Sequence, residues 1–207
     1  MFTKQEIKDL ILALIVLSFA ITFVIFKKGG TTFIDALSLG FFVTLVAFMS
    51  HEIIGHKFLA QWYGFDADFK AWNLGLVLGI VTGLLALVSP ITLVFAAPGA
   101  VYIHPYARKK FAFHVAHISK KQYGIISLGG PAVNIVIGFL FLFLSFYYSF
   151  SFLASAAAFS FFLAIFNLLP VSPLDGSKVF DWNRYIWVLS MGLAFAGYFI
   201  IPSILSS

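Results

Sequence analysis

Residues 34–60 read IDALSLGFFVTLVAFMSHEIIGHKFLA, an apolar run that ends in two histidines and a glutamate. About 20 apolar residues are enough for a helix to span the hydrocarbon core of a bilayer. Ionisable side chains are costly at that depth, and those that occur there usually serve a function. The stretch therefore predicts a transmembrane helix with a functional site, formed by His51, Glu52 and His56, near its carboxyl end.

The rest of the chain has the composition of a membrane protein. Of its 207 residues 61% are hydrophobic and 10% are charged, whereas soluble domains are about 25% charged. Further runs of membrane-spanning length occupy residues 10–26, 124–147, 151–171 and 185–203. We expect an all-α integral membrane protein with five to six transmembrane helices. It would be a multi-pass protein of the cell membrane, and its first partner would be the lipid bilayer. Residues 1–207 are predicted to form a single membrane-embedded domain.

The apolar segment 76–101 differs from the other runs because glycines and prolines interrupt it. They are Gly79, Gly83, Pro90 and Pro98. Proline breaks a helix, and non-helical backbone is tolerated at membrane depth where protein surrounds it. The pattern favours a bent or re-entrant hairpin over the alternative of one kinked span.

The net charge of +5 comes from basic residues that lie between the apolar runs. The densest group lies between residues 104 and 122 and consists of Arg108, Lys109, Lys110, Lys120 and Lys121. Loops rich in lysine and arginine face the cytoplasm, so we predict that this loop, the N-terminus and the loops at 61–75 and 172–184 are cytoplasmic. The distribution argues against nucleic acid as a partner.

The two histidines of the first motif are five positions apart. In a regular α-helix residues i and i+5 point roughly 140° apart, so the imidazoles would diverge. A π-bulge absorbs one residue and realigns them, and such bulges are frequent at functional sites. Gly55, which precedes His56, favours the bulge. The alternative is that either histidine is an interfacial residue with an ordinary hydrogen bond.

A second motif ends the fourth predicted span, where residues 167–176 read NLLPVSPLDG. The prolines end the helix and place Asp175 at the depth of His51. Two histidines and one carboxylate make a ligand set for catalytic zinc, which leaves a fourth position open. Cysteine is absent, so His, Asp and Glu are the available strong ligands. A Pro-Asp-Gly turn that caps a span is the simpler reading, but it leaves Asn167 unexplained.

A third motif, GGPAVN at residues 129–134, begins the predicted span at 124–147. Small residues allow helices to approach closely, and a buried asparagine needs hydrogen-bond partners. By itself the motif is more typical of ordinary helix–helix packing than of a functional site. Together, the three motifs predict one site at one depth.

These three motifs resemble those of the site-2 protease family, of the minimal archaeal or bacterial type. That family combines His-Glu-x-x-His, Gly-Pro-x-x-Asn and Asn-x-x-Pro-x-x-Pro-Leu-Asp-Gly in this order. The matching positions of the last two motifs are Gly130, Pro131, Asn134, Asn167, Pro170, Pro173, Leu174, Asp175 and Gly176. The resemblance covers about residues 34–185, which would form a three-helix catalytic core within a peptidase domain.

The resemblance implies an intramembrane zinc metalloendopeptidase that cleaves transmembrane segments of membrane proteins, as in regulated intramembrane proteolysis. One Zn²⁺ per chain would be held by His51, His56 and Asp175, with Glu52 as the general base. Asn134 and Asn167 would hold the substrate backbone or the transition-state oxygen. The family also implies that the zinc is reached from the cytoplasmic side.

Two other classes of function remain open from the sequence. The i+5 spacing of the histidines departs from the family pattern and supports a catalytically inactive relative that binds membrane helices as a scaffold. A transporter could also place His, Glu and Asp in the membrane, but the sequence lacks the internal repeat that this class predicts. His104, His114 and His117 lie in the basic loop, and we assign them no catalytic role.

Overall fold

The computed structural model describes residues 2–89, 94–109, 112–115, 118–148 and 151–205. The first half contains α1 (Lys4–Lys27), α2 (Phe33–Met49), a π-helix (Ser50–Phe58), α3 (Leu59–Trp62), β1 (Phe65–Ala71), α4 (Asn73–Val88) and β2 (Gly99–Lys109). The second half contains β3 (Ala112–Val115), α5 (Lys120–Tyr147), α6 (Ser151–Asn167), α7 (Asp175–Trp182) and α8 (Arg184–Leu205).

Four helical stretches of the described chain are long and apolar enough to cross a membrane. They are Lys4–Lys27, Phe33–Trp62, Lys120–Tyr147 and Arg184–Ile201. The span predicted at 151–171 forms the shorter α6, which ends at Asn167 where the proline-rich motif begins. The prediction of an all-α integral membrane protein is confirmed.

Helix α5 lies at the centre of the fold and contacts the π-helix, α6, α7 and α8. It begins at Lys120, earlier than the predicted residue 124, because Ser119 and Gln122 form a capping box. Reciprocal side-chain bonds in such a box satisfy backbone N–H groups that the first turn leaves free. The start of α5 is thereby fixed beside the carboxyl end of the α2–π-helix stretch.

A small antiparallel sheet of order β1-β2-β3 lies between these helices in the sequence. Our prediction of loops at 61–75 and in the basic segment missed it. The signal was present: Phe65, Ala67 and Phe69 alternate with Asp66 and Asp68, which is the period of a strand with one buried face. This alternation is short and lies between long apolar runs, so the segment was interpreted as a loop.

The prediction of a bent or re-entrant hairpin at 76–101, instead of one kinked span, is confirmed. Helix α4 ends at Val88, and residues 94–98 return alongside it without regular secondary structure. The Phe95 N–H donates to Thr82 Oγ1 at 2.9 Å. The Trp72 N–H donates to the Pro98 carbonyl at 2.8 Å and closes the hairpin. Pro90, at the predicted break, lies outside the described residues.

The N-terminus and the sheet meet at the same end of the molecule. Glu6 on α1 accepts the Phe69 N–H of β1 at 3.1 Å, and Asp9 accepts the Ala71 N–H at 3.2 Å. Glu6 also pairs with Lys57 of the π-helix. This end of the fold carries the candidate site.

Candidate metal centre and its pocket

The two histidines of the first motif lie on one side of a π-helix. That segment spans Ser50–Phe58, so residues five apart are stacked above one another. The ring centroids of His51 and His56 are consequently 4.7 Å apart. The predicted π-bulge is confirmed, and it extends over nine residues.

Glycines allow α5 to pack directly against this π-helix. A Cβ atom on Gly130 would lie 2.3 Å from His56 Nε2 and 2.6 Å from His51 Nε2. On the facing element, a Cβ on Gly55 would lie 2.4 Å from Gly130 Cα. Any larger residue at these positions would displace the imidazoles or the backbone.

Asp175, the first residue of α7, completes the cluster. Its Oδ2 lies 3.4 Å from His51 Nε2 and 3.0 Å from His56 Nε2. Ligands held at about 2.0–2.1 Å by tetrahedral zinc lie roughly 3.3 Å from one another. The three ligand atoms all lie within 4.8 Å of one another, so this donor set fits a zinc ion.

The surroundings of His56 favour a metal at Nε2. Its Nδ1 lies 2.8 Å from the Ile126 carbonyl of α5. A carbonyl can only accept, so Nδ1 carries a proton, and the Nε2 atom of a neutral His56 is then the nitrogen left to bind a metal. Metal-binding histidines commonly have such a second partner, which fixes the tautomer and the ring orientation.

The carboxylate of Asp175 is held in its ionised form. Burial alone would raise the pKa of Asp175, but the charge of His56 and hydrogen bonds to both histidines hold it well below its usual value. Lys178, one turn later on α7, contributes to this shift and lies 3.4 Å from Asp175 Oδ1. An ionised carboxylate is the form that binds a metal.

A pocket of about 300 Å³ opens beside the cluster. Its lining includes Glu52, Asn167, Lys178, Trp72, Tyr123 and residues of β2. Glu52 is 6% exposed, and its Oε2 has no hydrogen-bond partner among the described residues. A buried carboxylate oxygen without a partner next to a metal-ligand set has room for water or substrate.

The two predicted asparagines occupy different places. Asn167 lines the pocket, and its Nδ2 donates to the Leu163 carbonyl at 3.0 Å. Asn134 is fully buried on α5, with its Nδ2 3.0 Å from His51 Nδ1. Asn134 is absent from the described pocket lining.

The remaining motif residues shape the backbone around the ligands. Pro131 lies inside α5 and directly follows Gly130. Pro170 follows the end of α6, and the carbonyl of Pro173 accepts a hydrogen bond from Lys178 at 2.7 Å. A Cβ on Gly176 would lie 2.0 Å from the Leu168 carbonyl oxygen, so only glycine lets the chain fold back here and bring Asp175 to the histidines.

Sequence reasoning did not identify the residues that support the ligands. Lys178 could have been found, because it follows Asp175 by three positions and such residues share a helix face. The Ile126 carbonyl carries no sequence signal, since any residue supplies one. The pocket wall formed by β2 was missed together with the sheet.

A curated protein of Methanocaldococcus jannaschii, named "Putative zinc metalloprotease MJ0611", is 34% identical over 208 aligned residues. The alignment covers 96% of this chain and 95% of the relative. No protein-family model matches the chain, and no solved structure does.

Proposed function

Because the chain belongs to the zinc metalloprotease family of its Methanocaldococcus jannaschii relative, we propose that it is an intramembrane metalloendopeptidase of the site-2 protease type. Its substrates are transmembrane segments of membrane proteins. The observation that carries this proposal is the meeting of His51, His56 and Asp175 at the end of a membrane-length helix, beside a pocket that contains Glu52.

Zinc held by these three side chains would supply Lewis acidity to a peptide carbonyl and to the attacking water. Glu52 accepts the proton of that water and returns it to the leaving nitrogen. Its free Oε2 faces no competing donor among the described residues. Glu52 lines the same pocket as His56 and Asp175, and its burial limits the water that reaches the carboxylate.

Asn167 is positioned to hold the substrate. An amide nitrogen has two N–H groups, and the Leu163 carbonyl occupies one of them. The second is available to a carbonyl oxygen of a peptide in the pocket. A fixed donor of this kind stabilises negative charge that develops on the oxygen during hydrolysis.

The start of β2 presents the substrate in extended form. Strand β3 pairs with residues 106–109 of β2, so within the described residues the segment 99–103 has β1 as its only strand partner. Phe69 and Ala71 of β1 direct their N–H groups away from β2, toward Glu6 and Asp9. They pair with Val101 and Gly99. Opposed residues of an antiparallel pair alternate between bonding each other and pointing outward, so Gly99, Val101 and Ile103 point their backbone groups away from β1.

Those outward-pointing residues line the pocket. A peptide that adds to this edge gains main-chain hydrogen bonds irrespective of its side chains. Pairing with β2 would also keep the peptide from refolding as a helix. In a helix the peptide bonds of a transmembrane segment are hydrogen-bonded to one another and inaccessible to the site. The carboxylates of α1 occupy the outer edge of β1, so the pocket side of β2 is the place for a substrate.

The site is proposed to open to the cytoplasm. The basic segment that indicates this side runs from the end of β2 to the start of α5, and both elements contribute residues to the pocket. The N-terminus of α1 lies at the same end. Water would reach Glu52 from this end of the molecule. The C-terminus of α8 would lie outside the cell.

The alternative of an inactive scaffold rested on the i+5 spacing of His51 and His56. The π-helix removes that support because it brings both rings to Asp175. A transporter would need a continuous polar path, whereas the buried ionisable groups of the described chain cluster at one end of the fold.

The decisive test compares two substrates of the purified protein in liposomes. One is a single transmembrane segment, and the other is the same cleavage-region sequence in a soluble peptide with polar flanks. We expect products, identified by mass spectrometry, from cuts within the apolar segment. Cleavage of the soluble peptide alone would contradict an intramembrane protease, and cleavage of neither by zinc-loaded protein would favour the scaffold.

A further inference from the structure

Among the described residues, the side chain of Asn134 makes one hydrogen bond, and its partner is the candidate metal ligand His51. Its Nδ2 lies 3.0 Å from His51 Nδ1, and the residue is fully buried. The Oδ1 atom of the same amide has no partner among the described residues. The opposite ring nitrogen, His51 Nε2, faces Asp175.

In this rotamer the amide donates to Nδ1, so the proton of a neutral His51 is on Nε2. That nitrogen then lacks the lone pair that a metal needs. A half-turn of the amide exchanges Oδ1 and Nδ2, and Oδ1 then accepts the proton of Nδ1–H. This half-turn replaces the Nδ2–Nδ1 hydrogen bond by an Nδ1–H to Oδ1 hydrogen bond. It breaks no bond of Oδ1, because that atom has no partner among the described residues before the turn.

We propose that Asn134 is a positioning residue for zinc. Its Oδ1 holds the proton of His51 on Nδ1 and directs the Nε2 lone pair to the metal, in the same way that the Ile126 carbonyl does for His56. Histidine ligands usually have a carboxylate, carbonyl or similar acceptor on their second nitrogen. The inference rests on the proposed zinc site, and it assigns Asn134 to the ligand shell instead of to substrate binding.

The test is the zinc dissociation constant of the full-length protein in detergent, measured by competition with a chelator. Loss of an outer-shell partner costs about 10–100-fold in metal affinity, which we expect for Asn134→Leu. Asn134→Asp keeps an acceptor oxygen and should stay within a few-fold of the unmodified protein. Asn167→Leu is the matched control for zinc affinity, since the hydrogen bond described for Asn167 goes to the Leu163 carbonyl and not to a ligand histidine.

Equal zinc affinity of Asn134→Leu and unmodified protein would overturn the inference while leaving the zinc site intact. Equal weakening by Asn134→Asp and Asn134→Leu would also overturn it, because packing would then explain both. Failure of the unmodified protein to bind zinc would instead contradict the proposed function. If Asn134→Leu does not fold, ¹⁵N-histidine NMR of the zinc-loaded unmodified protein decides: a proton on Nδ1 of His51 supports the inference, and a proton on Nε2 refutes it.

Discussion

The backbone of Gly129 lies against the backbone of Gly55: a Cβ atom on Gly129 would be 2.0 Å from the Gly55 carbonyl oxygen. Helix α5 and the π-helix therefore meet without intervening side chains. This close approach brings Ile126 within hydrogen-bond distance of His56 and brings Asn134 to His51. The geometry of the candidate metal centre depends on this contact.

Gly129→Ala should separate the two helices and destabilise the protein. Overpacking of a filled site typically costs about 1–3 kcal/mol, and the displaced π-helix should also weaken zinc binding. The measurement is thermal unfolding in detergent together with zinc content. Gly192→Ala is the control: apart from its own helix backbone and chain neighbours, no atom of the described residues lies within 4 Å of its added Cβ. Alanine favours a helix over glycine by about 0.5–1 kcal/mol. Equal melting temperatures of the two variants would contradict the contact.

Removal of a ligand side chain should remove the metal. We expect about one zinc per chain in protein purified under metal-replete conditions, and a large loss in His56→Ala and in Asp175→Ala, because each removes one of three protein ligands. Elemental mass spectrometry measures this directly. His104→Ala serves as control, since His104 pairs with Asp68 on the sheet. Retention of zinc in both ligand variants would place the metal elsewhere.

Glu52→Gln should separate chemistry from metal binding. The amide keeps the size of the side chain but cannot accept a proton, and loss of a general base typically lowers the rate about 10²–10⁴-fold. Zinc content should stay at that of the unmodified protein, because Glu52 is outside the ligand set. Cleavage of the transmembrane substrate is followed over time. A rate near that of the unmodified protein would exclude Glu52 as the base.

The segment 99–103 of β2, which β3 does not pair with in the described residues, offers a test of substrate presentation. Val101→Pro removes an N–H that points away from β1, so the β1–β2 pairing should persist while pairing with substrate is weakened. We expect lower cleavage with unchanged zinc content. Val101→Thr keeps the N–H and a β-branched shape, and it should cleave like the unmodified protein. Equal loss in both variants would point to the side chain instead of the edge.

Much of the fold and of the site could be predicted because each feature has a local cause. Apolar length predicts spans, glycines and prolines predict the hairpin, and the five-residue separation of His51 and His56 predicts a π-helix. Asp175 could be placed beside them because the prolines that end α6 fix its depth. These are properties of short segments, which a single sequence carries.

The partners of the two histidines were missed because they depend on contacts between segments distant in the chain. The Ile126 carbonyl becomes a partner of His56 only because Gly55 and Gly129 let the helices touch. The contact of Asn134 with His51 joins positions 83 residues apart. Such pairings arise from tertiary packing, so residue type and spacing along the chain do not reveal them.

A buried ion pair ties α1 to the candidate site. Lys57 follows His56 and is 2% exposed; its Nζ lies 2.5 Å from Oε1 and 2.6 Å from Oε2 of Glu6, which is also 2% exposed. The Lys57 ammonium also lies 4.2 Å from the centre of the Phe2 ring. The pair holds the first turn of α1 against the end of the π-helix.

Neutralising one residue of this ion pair should destabilise the protein more than neutralising both. A buried charge left without its partner typically destabilises a protein by about 3–5 kcal/mol, whereas loss of both charges is often nearly neutral. Glu6→Gln keeps an acceptor for the Phe69 N–H and leaves Lys57 unpaired; Lys57→Met leaves Glu6 unpaired. We expect both single variants to unfold at a lower temperature than the unmodified protein, and the double variant to recover most of the lost stability. Because Lys57 adjoins His56, zinc content should fall in the single variants and recover in the double variant. Additive losses in the double variant would mean that the two side chains are not coupled.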